Sequence, residues 1–204
     1  HVPADATDVY CHKFPRMAAK TKQFYERYPI DIERAAAVSD ILQSRKVTLP
    51  NGDPLTVERF QCLGSDFGMK PSFERVHWIL DQAFLDGDGS ASTSAELSDE
   101  FLSSVMNATS SRPLYWPLQE FIYANGELET PICWAAQRVR GEHPEFAGGI
   151  RPLNFTGEAM FPWMFEQERA LRPFKPAMDV LMEDTHFGTI YDADQLARNE
   201  VPLQ

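Results

Sequence analysis

The residues in this 204-residue sequence best placed to do chemistry are carboxylates set among aromatics. In Gln119-Glu120-Phe121-Ile122-Tyr123, a helix puts Glu120 and Tyr123 on one face at i and i+3, with Tyr115 and Trp116 one turn earlier. Glu158 is the single acid in the apolar run Thr156-Gly157-Glu158-Ala159-Met160-Phe161-Pro162-Trp163-Met164-Phe165. A carboxylate beside aromatic walls binds an ammonium group by ion pairing and cation–π attraction. Composition and spacing also allow plainer roles. Glu120 would then be half of a helix-surface ion pair, and Glu158 an acid at a helix start, where the dipole favours negative charge.

Other patterns fail on inspection. Asp86-Gly87-Asp88-Gly89-Ser90 opens like a calcium loop, but its sixth position is Ala91 and its twelfth is Leu97, where glycine and a bidentate glutamate are required. A flexible surface loop is expected near 86–94. Gly64-Ser65-Asp66-Phe67-Gly68 has Asp66 midway between its glycines, where a nucleophile elbow needs serine. Glu142-His143 and Asp184-Thr185-His186 are isolated and lack metal-ligand spacing. No glycine-rich phosphate loop occurs, so neither metal nor cofactor is expected.

The elements that must position these residues read as helices. Apolar residues recur at helical spacing from Thr7 to Tyr28, with Pro15 as a kink or early turn and Pro29 as the end. A second helix follows Asp31 and runs to Arg45. Lys46–Leu49 is extended and leads into the turn Pro50-Asn51-Gly52-Asp53-Pro54. Thr56 caps a helix to about Leu63, and Ser72 caps another through Phe84. Further helical patterns cover Ser98–Ala108, Leu114–Tyr123, Pro131–Arg140 and Pro173–Asp184, with an irregular Pro- and Gly-rich stretch near 142–162. The expectation is a single mainly α domain with little or no β structure.

Thirty acidic and nineteen basic residues give a net charge of −11, which argues against a nucleic-acid or anionic-membrane partner. No run of about 18 apolar residues is present to span a bilayer. Three scattered cysteines, Cys11, Cys62 and Cys133, fit neither a disulfide framework nor a zinc site. They suggest reduced, buried thiols in a cytoplasmic protein. The chain opens on His1 and stops at Gln204 without a capped end, as a piece of something longer would.

Two motifs then carry a resemblance. Phe155–Phe165 and Tyr191-Asp192-Ala193-Asp194-Gln195-Leu196-Ala197-Arg198-Asn199-Glu200-Val201-Pro202 closely resemble the longer form of the proline iminopeptidases (prolyl aminopeptidases). Leu49–Gly52, Leu55–Gln61 and Glu120–Tyr123 are similar to the same family. The resemblance implies an α/β-hydrolase whose mainly helical cap is inserted between two strands of the sheet, the nucleophilic serine preceding the cap and the catalytic Asp and His following it. This segment resembles the cap alone, which implies that the Ser-His-Asp body lies outside it and that the piece by itself is inactive.

Carried over residue by residue, the family's amine-binding glutamate falls on Glu120, with Tyr123 as the aromatic after it. The family's second acid would lie near Phe60–Gly64, where this chain has no Glu, and Glu158 is the substitute suggested. Phe161, Trp163 and Tyr10 are the suggested contacts to a pyrrolidine ring. The implied partners are a peptide with N-terminal proline and the hydrolase body of the same protein, with a dimer through the exposed docking face as a further expectation. A free-standing helical interaction module is the alternative from another class.

Overall fold

A computed structural model describes residues 6–69, 72–84, 96–110, 112–119 and 131–183. Among them, nine α-helices and a single two-stranded sheet make the chain mainly α. It divides into two compact units. One comprises residues 14–111 and 143–159; the other comprises 1–13, 112–142 and 160–204. Helix α1 (Ala6–Arg27) carries Asp8 in its first turn and Arg27 in its last, each matched to the helix dipole. It is unbroken at Pro15, and the division between units falls at Lys13/Phe14, just before that proline.

The larger unit is the framework. Pro29 separates α1 from α2 (Ile30–Ser44). Strands β1 (Val47–Thr48) and β2 (Pro54–Leu55) pair antiparallel, Val47 opposite Leu55, around a turn in which Gly52 takes φ +87°. Helix α3 (Val57–Gln61) starts where Thr56 Oγ1 accepts from the Arg59 N–H at 3.3 Å, then tightens into a 3₁₀ helix over Cys62–Gly68. Helices α4 (Phe73–Asp81) and α5 (Asp99–Ser110) pack beside it. Ser72 makes no side-chain cap, and α4 ends at Asp81, short of Phe84. Ser98 does cap α5, accepting from the Phe101 N–H at 3.0 Å.

Aromatic rings fill this unit's core. Phe155 lies 5.5 Å from Phe67, 5.7 Å from Phe60 and 6.0 Å from Phe24, all in edge-to-face geometry. Such pairs add about 0.5–1.5 kcal/mol each beyond the burial itself. The close approach needs Gly64, because a Cβ there would sit 2.6 Å from the Phe155 Cβ.

Buried polar groups in this unit are wired together. Arg59, fully buried, pairs with Asp53 at 3.2 Å and donates to Thr109 Oγ1 at 3.1 Å and Ser110 Oγ at 2.7 Å, tying the β-turn to the end of α5. Asp31, also buried, receives Arg34 at 3.1 Å and faces His77 Nδ1 at 2.7 Å. Burial raises the Asp31 carboxyl above its ordinary range, while its bonds to His77 and Arg34 pull it back.

The smaller unit contains the first turns of α1 together with α6 (Tyr115–Gln119), α7 (Ala135–Gly141), α8 (Met164–Gln167), a 3₁₀ turn at Arg172–Phe174 and α9 (Lys175–Glu183). Cys133 and Trp134 take φ +48° and +53°, a left-handed pair that side chains disfavour. Arg138 supports it by donating to the carbonyls of Cys133 (3.1 Å) and Ile132 (3.2 Å), and the Cys133 N–H donates to Met182 O at 3.0 Å. The helix expected from Pro131 therefore begins only at Ala135. Cys11 and Cys133 are exposed and Cys62 alone of the three is buried, correcting the expectation of three packed thiols and of a helical Cys133.

Candidate functional site

Four of the six residues singled out by sequence fall within the described residues; Glu120 and Tyr123 lie outside them. In the smaller unit, Tyr10 is fully buried and its hydroxyl donates to Gln119 Oε1 at 3.2 Å. Gln119 is the last described residue of α6, directly before Glu120 in sequence, and is itself buried. Helix α6 is thus tied by a buried hydrogen bond to the first turns of α1 at the residue preceding the predicted amine-binding acid.

Phe161 is 1 % exposed, and Trp163 lies against it with ring centroids 5.8 Å apart at 17°. The half-buried Trp163 has its indole Nε1 shut off from solvent, with no hydrogen-bond partner among the described residues. A buried N–H without an acceptor costs about 1–3 kcal/mol. Trp134 and Phe165 (centroids 5.7 Å) extend the aromatic set within the same unit.

Cations occupy two of these rings, which sequence reading missed. Lys13 Nζ lies 5.0 Å from the Tyr10 centroid and the Arg140 guanidinium 5.7 Å from that of Phe161. Each such contact is worth about 0.5–1 kcal/mol, more when desolvated. The Lys13 contact had a legible signal, an i, i+3 spacing from Tyr10 on one helix. Arg140 had none, since it reaches Phe161 from 21 positions away in the chain. A ligand ammonium at Phe161 would therefore have to share the ring with a guanidinium.

Glu158 belongs to the larger unit and is half-buried. No helix begins at it, since α8 starts only at Met164, so the dipole-favoured helix-start role does not hold. Its approach is fixed instead by the extended run before it. The Phe155 N–H donates to Thr21 Oγ1 at 3.2 Å, the Thr156 N–H to Gln61 O at 3.0 Å, and Gln61 Nε2 to the carbonyls of Asn154 and Phe146, both at 2.8 Å. Gly157 follows at φ +69°, with Met17 Sδ 2.7 Å from where a Cβ would be. Sequence alone could not single out this glycine.

Among the described residues no group of three or more His, Cys, Asp or Glu could hold a metal. His143 Nδ1 instead pairs with Glu145 at 2.9 Å; burial works against that carboxylate, but its backbone and His143 hydrogen bonds hold it below its ordinary range. Among the described residues, no helix is long and apolar enough to cross a membrane.

No family model matches the chain. Two curated proteins do. A proline iminopeptidase of Aeromonas sobria is 39% identical over 201 residues, covering 97% of this chain and 45% of that protein. The proline iminopeptidase aneH of Aspergillus aculeatus is 33% identical over 192 residues, covering 93% of this chain and 41% of that protein. The chain spans less than half the length of either relative. Over nearly all of its own length it is similar to part of a proline iminopeptidase.

Proposed function

From that relationship, we propose that the chain forms the helical cap of a prolyl aminopeptidase, closing over a serine-hydrolase site carried elsewhere in the protein. The observation that carries this reading is the mismatch in coverage: almost all of the chain aligns, to less than half of each relative. The mainly α architecture fits a cap and does not fit a hydrolase sheet.

Two tasks fall to such a cap. It blocks the peptide beyond its first residue, and it holds the free imino group of an N-terminal proline at a fixed distance from the nucleophile. The hydrolase body supplies attack and oxyanion stabilisation. Glu120 takes the amine, Tyr123 flanks it, and Trp163 offers its ring to the pyrrolidine, with the buried Tyr10 and Phe161 packed in the same unit; Glu158, carried by the larger unit, is the second candidate acid. A desolvated carboxylate bonded to the amine contributes roughly 1.5–3 kcal/mol. It also rejects blocked termini, whose binding would leave the acid buried without a partner.

The exposed apolar side chains of the smaller unit, Leu114 (65 %), Leu118 (60 %) and Val180 (62 %), suit a docking face for the body or for a second copy. The exposed free thiols at Cys11 and Cys133 suit a reducing, cytoplasmic setting. The test is Glu120→Gln in the full-length protein. Turnover of proline amides should fall sharply while labelling of the serine by a small phosphonate persists; unchanged turnover returns Glu120 to a surface ion pair and removes it from the site.

A further inference from the structure

Glu158 follows an anchored run whose anchoring stops short of it. The Phe155 N–H donates to Thr21 Oγ1 at 3.2 Å and the Thr156 N–H to Gln61 O at 3.0 Å. The Thr156 hydroxyl also reaches Cys62 Sγ at 3.8 Å. Gly157, the residue between this run and the acid, makes no hydrogen bond among the described residues. It takes φ +69°, in a region that glycine enters about as readily as negative φ. Neither a side chain nor a hydrogen bond therefore fixes its torsions, which set where Glu158 begins.

Packing does the fixing instead. Met17 on α1 fills the space that a side chain at 157 would need, with Sδ, Cε and Cγ at 2.7, 3.0 and 3.1 Å from the Cβ position. The same methionine reaches Gly64 of the 3₁₀ helix. There its Cε lies 3.2 Å, and the Gly157 nitrogen 3.0 Å, from where a Cβ would be. Two glycines far apart in the chain thus open one slot, and a single thioether occupies it. Methionine suits such a slot because its unbranched, polarizable side chain follows an irregular gap. Met17 and Thr21 are i and i+4 on α1, so one helix face holds both the hydrogen-bonded run and the joint after it. Met17 is half-buried against the aromatic core that contains Phe155, and all of these residues belong to the larger unit.

We infer that Met17 is a positioning residue for Glu158: its thioether, wedged against Gly157, fixes the joint from which the acid starts and so sets the acid's grip on the substrate amine. The inference rests on the reading of Glu158 as the second acid for the imino group.

A double-mutant cycle tests it, read as steady-state kinetics of the full-length protein on proline amide. Met17→Val keeps a carbon at Cγ and removes Sδ and Cε, the two atoms nearest the Gly157 position. Met17→Leu keeps a carbon at the reach of Sδ, and thermal melts verify that both variants fold. Weakening of a charged hydrogen bond predicts a KM raised about tenfold in Met17→Val with kcat changed less than about twofold, as when binding common to substrate and transition state is lost. Met17→Leu should recover most of that loss. Because Met17 acts through Glu158, adding Met17→Val to Glu158→Gln should raise KM no further than Glu158→Gln alone. Losses that multiply in the double variant overturn the inference and make Met17 a packing residue only. An unchanged KM in Met17→Val, with Glu158→Gln effective, also overturns it and leaves the acid in the site. An unchanged KM in Glu158→Gln removes the acid itself, and the inference falls with it.

Discussion

The two units are built to opposite rules. In the larger, the central polar groups find partners inside the unit: Arg59 is held by Asp53, Thr109 and Ser110, Asp31 by Arg34 and His77, and the phenylalanines meet edge to face around Phe155. In the smaller, an indole N–H has no partner among the described residues and two consecutive residues are held in a left-handed conformation. The contrast teaches where to look for function. A unit that satisfies itself is a scaffold, whereas one that leaves strain and open valences is waiting for something to complete it.

The sharpest way to break the contrast is to damage the scaffold. Arg59→Ala removes the buried guanidinium that faces the buried Asp53 carboxylate at 3.2 Å and donates to Thr109 and Ser110, so urea unfolding should show a loss of about 3–5 kcal/mol. A loss below about 1 kcal/mol, the range of a solvent-screened pair, would mean the larger unit is not held as described.

Trp163→Phe probes the other unit. Relief of the orphan N–H offsets lost ring contact, so stability should move by less than about 1 kcal/mol while the KM of the full-length protein for proline peptides rises severalfold. A large stability loss with unchanged KM would make Trp163 a core residue and blur the division of labour.

Tyr25→Phe gives the smallest effect and a signed one. The buried hydroxyl donates to Leu153 O at 2.7 Å, so its removal costs about 1 kcal/mol at neutral pH. Burial, reinforced by the charge of Asp31 and opposed by Arg151, pushes this phenol far above its ordinary value. Above about pH 10 the unfolded tyrosine ionises while the folded one keeps its proton. The unfolded state then binds fewer protons, and the wild type loses stability as pH rises. The variant lacks that loss, so the gap between the two should close in alkaline thermal melts. A gap that stays constant with pH would place Tyr25 in a wetter environment than its burial indicates.

How much was legible in the sequence follows the same line. The mainly α class, the cap at Thr56, the break at Pro29 and the turn at Gly52 all rest on signals a few residues long, and the structure has them. Ser72 carries the same cap signal yet makes no capping bond, and the helix expected at Pro131 gives way to the left-handed Cys133 and Trp134. Those outcomes are decided by distant partners, Arg138 and Met182 among them. The acids and aromatics of the candidate site could be named from composition and resemblance. The cations over Tyr10 and Phe161, the Gln119 hydroxyl bond and the glycine fit at Gly157 could not, because each depends on chain segments meeting in space. Glu120, Tyr123 and the motif at 191–202 lie outside the described residues.

The central claim is that selection of a free imino terminus resides in this chain. Its most direct measurement is the ratio of hydrolysis rates for proline amide and N-acetylproline amide by the full-length protein, with and without the combined Glu120→Gln and Glu158→Gln substitutions. A strong preference for the free amine that collapses toward unity in the double variant is the predicted result. A preference that persists undiminished would contradict the claim and place the selecting group outside these 204 residues.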